Sequence, residues 1–136
     1  MKKLLFLLVM VAITRIGYSQ QGASAAPVKA DVAVFEWDSQ SFDFGKIKQG
    51  VPVTHEFKFT NKGKIPLVIA NAQPSCGCTT PDWSRQPVAP GEKGFIKATF
   101  NASAAGPFNK SVTVTANVET GTAMLMIKGE VSPAVQ

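Results

Sequence analysis

The strongest constraint on this chain is a strict alternation of apolar and polar side chains in several short segments. The clearest segment places five side chains in one phase, namely Val51, Val53, His55, Phe57 and Phe59. A period of two residues is that of a β-strand with one buried face. Segments 96–100, 111–118 and 123–131 repeat the pattern, so the chain is predicted to be built from strands.

Turn residues separate these segments. Asn61 and Gly63 lie in a turn and tolerate positive φ, and Pro90-Gly91 suits a type II turn. Short strands at 34–37 and 42–44 and an apolar run at 66–70 bring the total to about seven, with turns roughly every 8–12 residues. We therefore predict an all-β fold, a single antiparallel β-sandwich domain.

The N-terminus is typical of a secretory signal peptide: two lysines, then an apolar run over 4–13, then Gly17 and Ser19. That run is shorter than the roughly 20 residues that span a bilayer. We expect a signal peptide at 1–19, a flexible tether at 20–30, the β-sandwich at 31–132 and a tail at 133–136. The protein is then exported to the periplasm or beyond the cell, with no membrane insertion after cleavage.

The charge distribution argues against nucleic acid as a partner. The chain has 14 Lys and Arg against 9 Asp and Glu, a net charge of +5. Lys2, Lys3 and Arg15 lie in the expected leader, and the other basic residues are scattered, without basic runs or interleaved aromatics. We expect a monomer or weak homo-oligomer that binds an envelope protein or a polysaccharide.

The chemically distinctive segment is Cys76-Gly77-Cys78-Thr79, which contains the only two cysteines. One interpretation is a disulfide, which an oxidising location permits but which closes too short a loop to stabilise much. Such a bond acts either as a plain structural element or as a redox switch, and Gly77 suits it because glycine adopts unusual backbone angles.

A soft-metal site is the alternative use of the two thiols. Cys76 and Cys78 suit Cu(I), and Met124 and Met126 offer further soft sulfur ligands on one strand face. Structural zinc needs four ligands, which two cysteines and one histidine do not supply. Methionine on a strand is more often ordinary packing. We expect no cofactor, with Cu(I) kept as the alternative.

Two further residues are candidates for function. His55 is the only histidine, and its phase places it on the apolar side of its strand, where a structural role is usual. No nucleophile elbow, metalloprotease or nucleotide-binding motif accompanies it, so we predict that the protein is not an enzyme. Trp83 follows the cysteine segment and either contacts a partner or packs over the end of the sandwich.

Several motifs occur in the order found in a known family. They are Phe42-Asp43-Phe44-Gly45, Phe57-x-Phe59-x-Asn61-x-Gly63, Pro66-Leu67-Val68-Ile69, Ser75-Cys76-Gly77-Cys78-Thr79-x-Pro81 and Val88-Ala89-Pro90-Gly91-Glu92. From residue 42 to about 131 the chain resembles the domain-of-unknown-function 1573 family of secreted Bacteroidetes proteins. The resemblance implies an immunoglobulin-like sandwich of the pilus-chaperone and major-sperm-protein type, whose members bind other proteins.

These observations lead to one functional hypothesis and one rival. The hypothesis is an exported, non-enzymatic interaction module that binds through a strand edge or the 74–87 loop. The binding residues are predicted to include Cys76, Gly77, Cys78, Thr79 and Trp83. The rival is a thiol-redox or copper-handling protein that uses Cys76 and Cys78.

Overall fold

Residues 31–135 are described by a computed structural model, and the predicted leader and tether lie outside this range. The described part forms eight strands in the order β1 (Phe35–Trp37), β2 (Ser41–Lys48), β3 (Val53–Asn61), β4 (Ile69–Pro74), β5 (Thr79–Trp83), β6 (Lys93–Phe100), β7 (Gly106–Ala116) and β8 (Thr122–Ser132). They make two four-stranded sheets, β1-β3-β6-β5 and β2-β8-β7-β4. The predicted all-β sandwich is therefore confirmed.

The core lies between the two sheets and is filled by the in-phase side chains of the alternating segments. In β8, Leu125 and Ile127 are each 1 % exposed, whereas Met124 on the opposite face is 57 % exposed. The largest fully buried apolar side chains are Phe57, Phe59, Leu67, Ile96, Leu125, Ile127, Val112, Val114 and Val131. In the described range, no helix is long and apolar enough to cross a bilayer.

The chain changes sheet between β1 and β2. The amide of Asp38 donates to the carbonyl of Lys58 (3.0 Å) in the first sheet, and the carbonyl of Gln40 accepts from Met126 (2.8 Å) in the second. As a result β2 runs parallel to β8, while the other strand pairs are antiparallel. The predicted antiparallel arrangement is therefore wrong for this one pair.

The strand count and one strand position also differ from the prediction. Thr79–Trp83 forms an eighth strand, β5, although Pro81 lies in its middle, because an edge strand tolerates proline on its outer side. The apolar run at 66–70 is mostly a connection, since Leu67 makes a single bridge with Val88 and β4 starts only at Ile69. Edge strands of this kind carry a weak alternation signal.

A buried asparagine fastens the connections at the end of β3. Asn61 is 0 % exposed, and its Oδ1 accepts from the amides of Val34 (3.3 Å) and Gly63 (2.9 Å). Its Nδ2 donates to the carbonyls of Ile65 (2.8 Å) and Val88 (2.9 Å). One side chain thus bonds four backbone groups in three separate segments, two as donor and two as acceptor, which is the full hydrogen-bonding capacity of a primary amide.

A second asparagine holds the 65–68 connection from the other sheet. The Oδ1 atom of Asn117 accepts from the amide of Val68 (2.7 Å), and its Nδ2 donates to the carbonyl of Pro66 (2.9 Å). Between these two residues, Leu67 is buried and exchanges both backbone hydrogen bonds with Val88. Asn117 differs from Asn61 in being exposed to solvent.

The two predicted turns have different outcomes. Gly91 has a φ of 84°, and the amide of Glu92 donates to the carbonyl of Ala89 (3.0 Å), which confirms a type II turn. Asn61 and Gly63 do not adopt positive φ, so the prediction that these residues form the turn through positive φ was wrong. Gly63 is needed because a Cβ atom there would overlap the carbonyl oxygen of Val32.

We expect Asn61→Ala to lower the free energy of unfolding by about 3 kcal/mol or more, because it removes four hydrogen bonds and leaves only the Val88 carbonyl, among the four backbone groups, with its bond to the Leu67 amide. Asn117→Ala is the matched control: water replaces its side chain, and the loss stays below about 1 kcal/mol. Urea denaturation of both variants measures the difference. Equal losses of unfolding free energy in the two variants would show that the Asn61 hydrogen bonds do not stabilise the fold more than those of Asn117.

Candidate functional site

The cysteine loop connects β4 to β5 and therefore joins the edge strands of the two sheets. Cys76 and Cys78 are linked by a disulfide, with Cα atoms 5.3 Å apart. Both cysteines are half-buried, and Gly77 between them is exposed. The predicted bond is therefore present in the structure.

Hydrogen bonds fix the loop at both ends. On the β4 side, the amide of Ser75 donates to the carbonyl of Ser111 (2.9 Å), and the amide of Ser111 donates to the Ser75 hydroxyl (3.1 Å). On the β5 side, the carbonyl of Cys78 accepts from the amide of Asn101 (3.0 Å). The loop is thus a fixed feature at one end of the sandwich.

Thr79 lies directly beneath the disulfide. It is 3 % exposed, and its hydroxyl oxygen is 3.9 Å from the Cys76 sulfur and 4.0 Å from the Cys78 sulfur. The four consecutive residues Cys76, Gly77, Cys78 and Thr79 thus form one compact loop, and their role in binding stays a prediction.

Gly77 does not have the role that its sequence position indicated. It is absent from the glycines with positive φ, and a Cβ atom added to it would meet no atom within 4 Å. The backbone of the loop therefore does not require glycine here. A side chain at this position would point into open space.

Trp83 is separated from the cysteine loop. It lies four residues beyond Thr79 on β5, roughly 13 Å along the strand. Its ring packs against the core on one side and is covered by the guanidinium of Arg85, 3.7 Å from the ring centroid, on the other. Trp83 therefore does not form one site with the cysteines.

The outer edge of β5 is poorly suited to adding a strand. The amide of Ser84 donates to the carbonyl of Phe95 (3.1 Å), so the alternation of the ladder turns the backbone nitrogens of Thr79, Pro81 and Trp83 towards the free edge. Of these, Thr79 donates its amide to Cys76 within the loop, and Pro81 has no N–H. This disfavours the predicted strand-edge mode of binding at β5.

The third outward amide on this edge, that of Trp83, is turned towards the Asp82 carboxylate. The pKa of Asp82 is lowered mainly by this N–H and, to a smaller extent, by the hydrogen bond from the Arg85 side chain. The carboxylate therefore stays ionised and remains an acceptor on this edge.

His55 lies on the inner face of β3, as its phase predicted, among three phenylalanine rings. Its ring stacks on Phe42 with centroids 3.7 Å apart and meets Phe57 edge-on at 4.6 Å. Burial lowers the pKa of His55 below its ordinary value, and the Glu56 carboxylate opposes this in part. The ring therefore has an aromatic, structural setting.

The methionines are not placed beside the cysteine sulfurs. Met126 pairs with Ser111, which pairs with Ser75, so Met126 lies two strand spacings, roughly 10 Å, from the start of the loop. Within residues 31–135 no three His, Cys, Asp or Glu side chains form a metal-binding group. Two thiolate ligands for Cu(I) would require prior reduction of the disulfide. The copper alternative stays a prediction.

The outer faces of the two sheets differ in where their charges lie. On the β1-β3-β6-β5 sheet, Glu56 forms ion pairs with Lys97 (3.5 Å) and Lys58 (3.9 Å). On the other sheet, nine outward side chains form a continuous uncharged area, which we call the uncharged face: Ser41, Asn71, Gln73, Ser111, Thr113, Thr115, Thr122, Met124 and Met126. The ion pair between Asp43 and Lys128 (4.0 Å) marks one end of it.

Sequence reasoning missed the uncharged face as a unit. The alternation in 111–118 and 123–131 already placed these threonines and methionines outwards. Their neighbours on β2 and β4 became visible only with the strand order, since β4 had been predicted too early in the chain. The cysteine loop adjoins this face, because Ser75 continues the row formed by Ser111 and Met126.

A family model described as a protein of unknown function, DUF1573, matches residues 35–131. No curated protein matches the chain.

Similar solved structures share the fold. A protein of unknown function from Porphyromonas gingivalis has a TM-score of 0.66 at 18 % sequence identity. The match covers 75 % of this chain and 48 % of the Porphyromonas chain. Vibrio cholerae VesB protease has 0.60 at 16 %, covering 71 % and 32 %. An ASH/PapD-like domain of human CEP192 has 0.59 at 12 %, covering 76 % and 89 %. This chain thus spans about half of the first structure and a third of the second.

We expect the free energy of unfolding to fall as pH falls from about 7.5 to 5. As pH falls, His55 takes up its proton at a higher pH in the unfolded chain than in the folded chain. The stability that neutral His55 contributes is therefore complete above the unfolded pKa of about 6.5 and is lost as pH falls through the lower folded pKa. Urea denaturation across this range measures the change. His55→Phe should flatten the profile; an unchanged slope in this variant would contradict the assignment.

Gly77→Ala should change the free energy of unfolding by no more than about 0.5 kcal/mol, because its Cβ enters open space. Gly63→Ala, at the close backbone approach, should cost about 2 kcal/mol or more. Thermal denaturation of the two variants checks the contrast. A large loss in Gly77→Ala would mean that the loop does require glycine.

Proposed function

Since this chain belongs to the domain-of-unknown-function 1573 family, we propose its function from its own structure: a non-enzymatic interaction module, exported to the cell envelope, that binds its partner through the uncharged face. The uncharged face itself is the observation that carries this proposal. The expected partner is an envelope protein, with an envelope polysaccharide as the second candidate.

Composition favours the uncharged face over the other sheet as a contact surface. The centre of a protein interface is depleted in charged residues and enriched in methionine. Met124, at the middle of the face, keeps 57 % of its surface exposed although it is a large apolar side chain. A partner that covers this side chain gains its hydrophobic burial without removing any charge from water.

The setting of the face also supports binding. Six of its nine residues lie on the two central strands of its sheet, β8 and β7, whose opposite side chains are buried in the core. Residues on such strands keep their relative positions without a partner, so little conformational entropy is lost when they bind. The threonine, serine and amide groups around the methionines can hydrogen-bond to either a protein or a sugar.

A non-enzymatic role agrees with the positions of the residues that could do chemistry. His55, which any Ser–His or Cys–His mechanism would need, is half-buried and packs against phenylalanine rings. Cys76 and Cys78 are joined to each other. These placements support binding as the primary activity.

Thr113→Lys should weaken capture of the partner about tenfold or more, because it places an unpaired charge in the centre of the interface. Thr80→Lys, on the outer face of β5, is the matched control and should bind like the wild type. Immobilised full-length variants are incubated in parallel with envelope proteins and with envelope polysaccharide, and the bound fractions are quantified. Equal binding by all three chains would contradict the proposal.

A further inference from the structure

We infer that the Cys76–Cys78 disulfide exchanges with an external thiol and that the two sulfurs have fixed roles: the external thiolate attacks the Cys76 sulfur, and Cys78 is the leaving group. The inference goes beyond the proposed binding function, because it concerns covalent chemistry and holds whether or not the uncharged face binds a partner.

The two halves of the disulfide have different surroundings. Cys78 packs against the hydrophobic core, and its carbonyl accepts from Asn101 at the end of β6 (3.0 Å). Cys76 is not part of that packing and precedes the exposed Gly77. Cys78 therefore has the core packed against it, whereas Cys76 has no such contact with the core and adjoins the exposed Gly77.

Thiol–disulfide exchange proceeds through a mixed disulfide, and its rate depends on which sulfur is accessible and on how well the other leaves. Here a bond forms between the external sulfur and the Cys76 sulfur while the Cys76–Cys78 bond breaks, and its electron pair stays on Cys78 as a thiolate. Gly77 between the two cysteines is exposed, and a Cβ atom there would meet nothing within 4 Å, so a thiol-bearing peptide can approach the loop at this residue.

Two outcomes then balance the electrons. The Cys78 thiolate attacks the Cys76 sulfur, restores the original disulfide and releases the external thiolate. Alternatively, the external reactant is a dithiol. Its second thiolate then attacks the dithiol's first sulfur, which is bonded to Cys76 in the mixed disulfide, and Cys76 leaves as a thiolate. The dithiol is thereby oxidised by two electrons, and Cys76 and Cys78 are both reduced.

The Thr79 hydroxyl is placed to support the leaving group. It is buried beneath the loop, and its oxygen lies 4.0 Å from the Cys78 sulfur and 3.9 Å from that of Cys76. A hydroxyl that donates to a developing thiolate stabilises its charge, as charge-assisted hydrogen bonds do. The hydroxyl reaches both sulfurs about equally, so it can donate to Cys78 when that sulfur leaves, and Thr79 then acts as its positioning residue.

The test compares the single-cysteine variants Cys78→Ser and Cys76→Ser of the full chain, using glutathione disulfide as the probe. The Cys76 thiol in Cys78→Ser should form the mixed disulfide about tenfold faster than the Cys78 thiol in Cys76→Ser. Equal rates, or a faster Cys78, would overturn the inference. Circular dichroism of both variants verifies that each remains folded.

A second measurement uses the intact disulfide. The wild-type chain is mixed with reduced glutathione, quenched with acid, alkylated, and mapped by tandem mass spectrometry. Glutathione should be found on Cys76 and the alkyl group on Cys78; the reverse pattern, or a bond that glutathione never opens, would contradict the inference.

The role of Thr79 has its own test in the same assay. Thr79→Val keeps the side-chain shape and removes the hydroxyl, so opening of the disulfide should slow about threefold. Thr80→Val, on the solvent side of β5, is the control and should leave the rate unchanged. An equal rate in Thr79→Val and the wild type would remove Thr79 from the mechanism.

Discussion

The side chain of Asn61 is the interaction on which the arrangement of this sandwich depends. A sandwich needs connections that pass from one sheet to the other, and their backbone groups lie outside the strand ladders. Asn61 pairs four such groups in three segments from a position that is 0 % exposed. Its own backbone also bonds the turn before β6, since the Asn61 amide donates to Glu92 and its carbonyl accepts from Gly91 (2.7 Å). The entrance to β1, the connection to β4 and the loop before β6 are therefore held together at one buried point.

With the connections fastened, the two outer faces are free to differ. One sheet exposes ion pairs around Glu56 at its centre, whereas the other has its ion pair at one end and exposes the nine uncharged side chains of the uncharged face beside it. The cysteine loop adjoins that second face through Ser75. Binding by the face and thiol exchange at Cys76 are thus neighbouring properties on one side of the molecule, although neither requires the other.

The central features of the fold could be predicted from the sequence because they follow from local periodicity. The alternation around Phe57 and Leu125 gave the correct buried faces, and the family motifs gave the immunoglobulin-like architecture. The edge strands were harder, since β5 contains Pro81 and β4 exposes Asn71 and Gln73, so neither has the usual apolar alternation. The four hydrogen bonds of Asn61 and the joining of rows into the uncharged face depend on contacts distant in sequence, which no local pattern contains.

The most direct measurement of the central claim uses the two methionines of the uncharged face, Met124 and Met126, as reporters. Their methyl groups are labelled with carbon-13, and their NMR signals are followed while envelope proteins are added to the full chain. If the uncharged face is the contact surface, both methyl signals shift or broaden, while the indole N–H signal of Trp83 on the opposite sheet stays in place. Unchanged methionine signals together with a perturbed Trp83 signal would contradict the account and place the contact at β5.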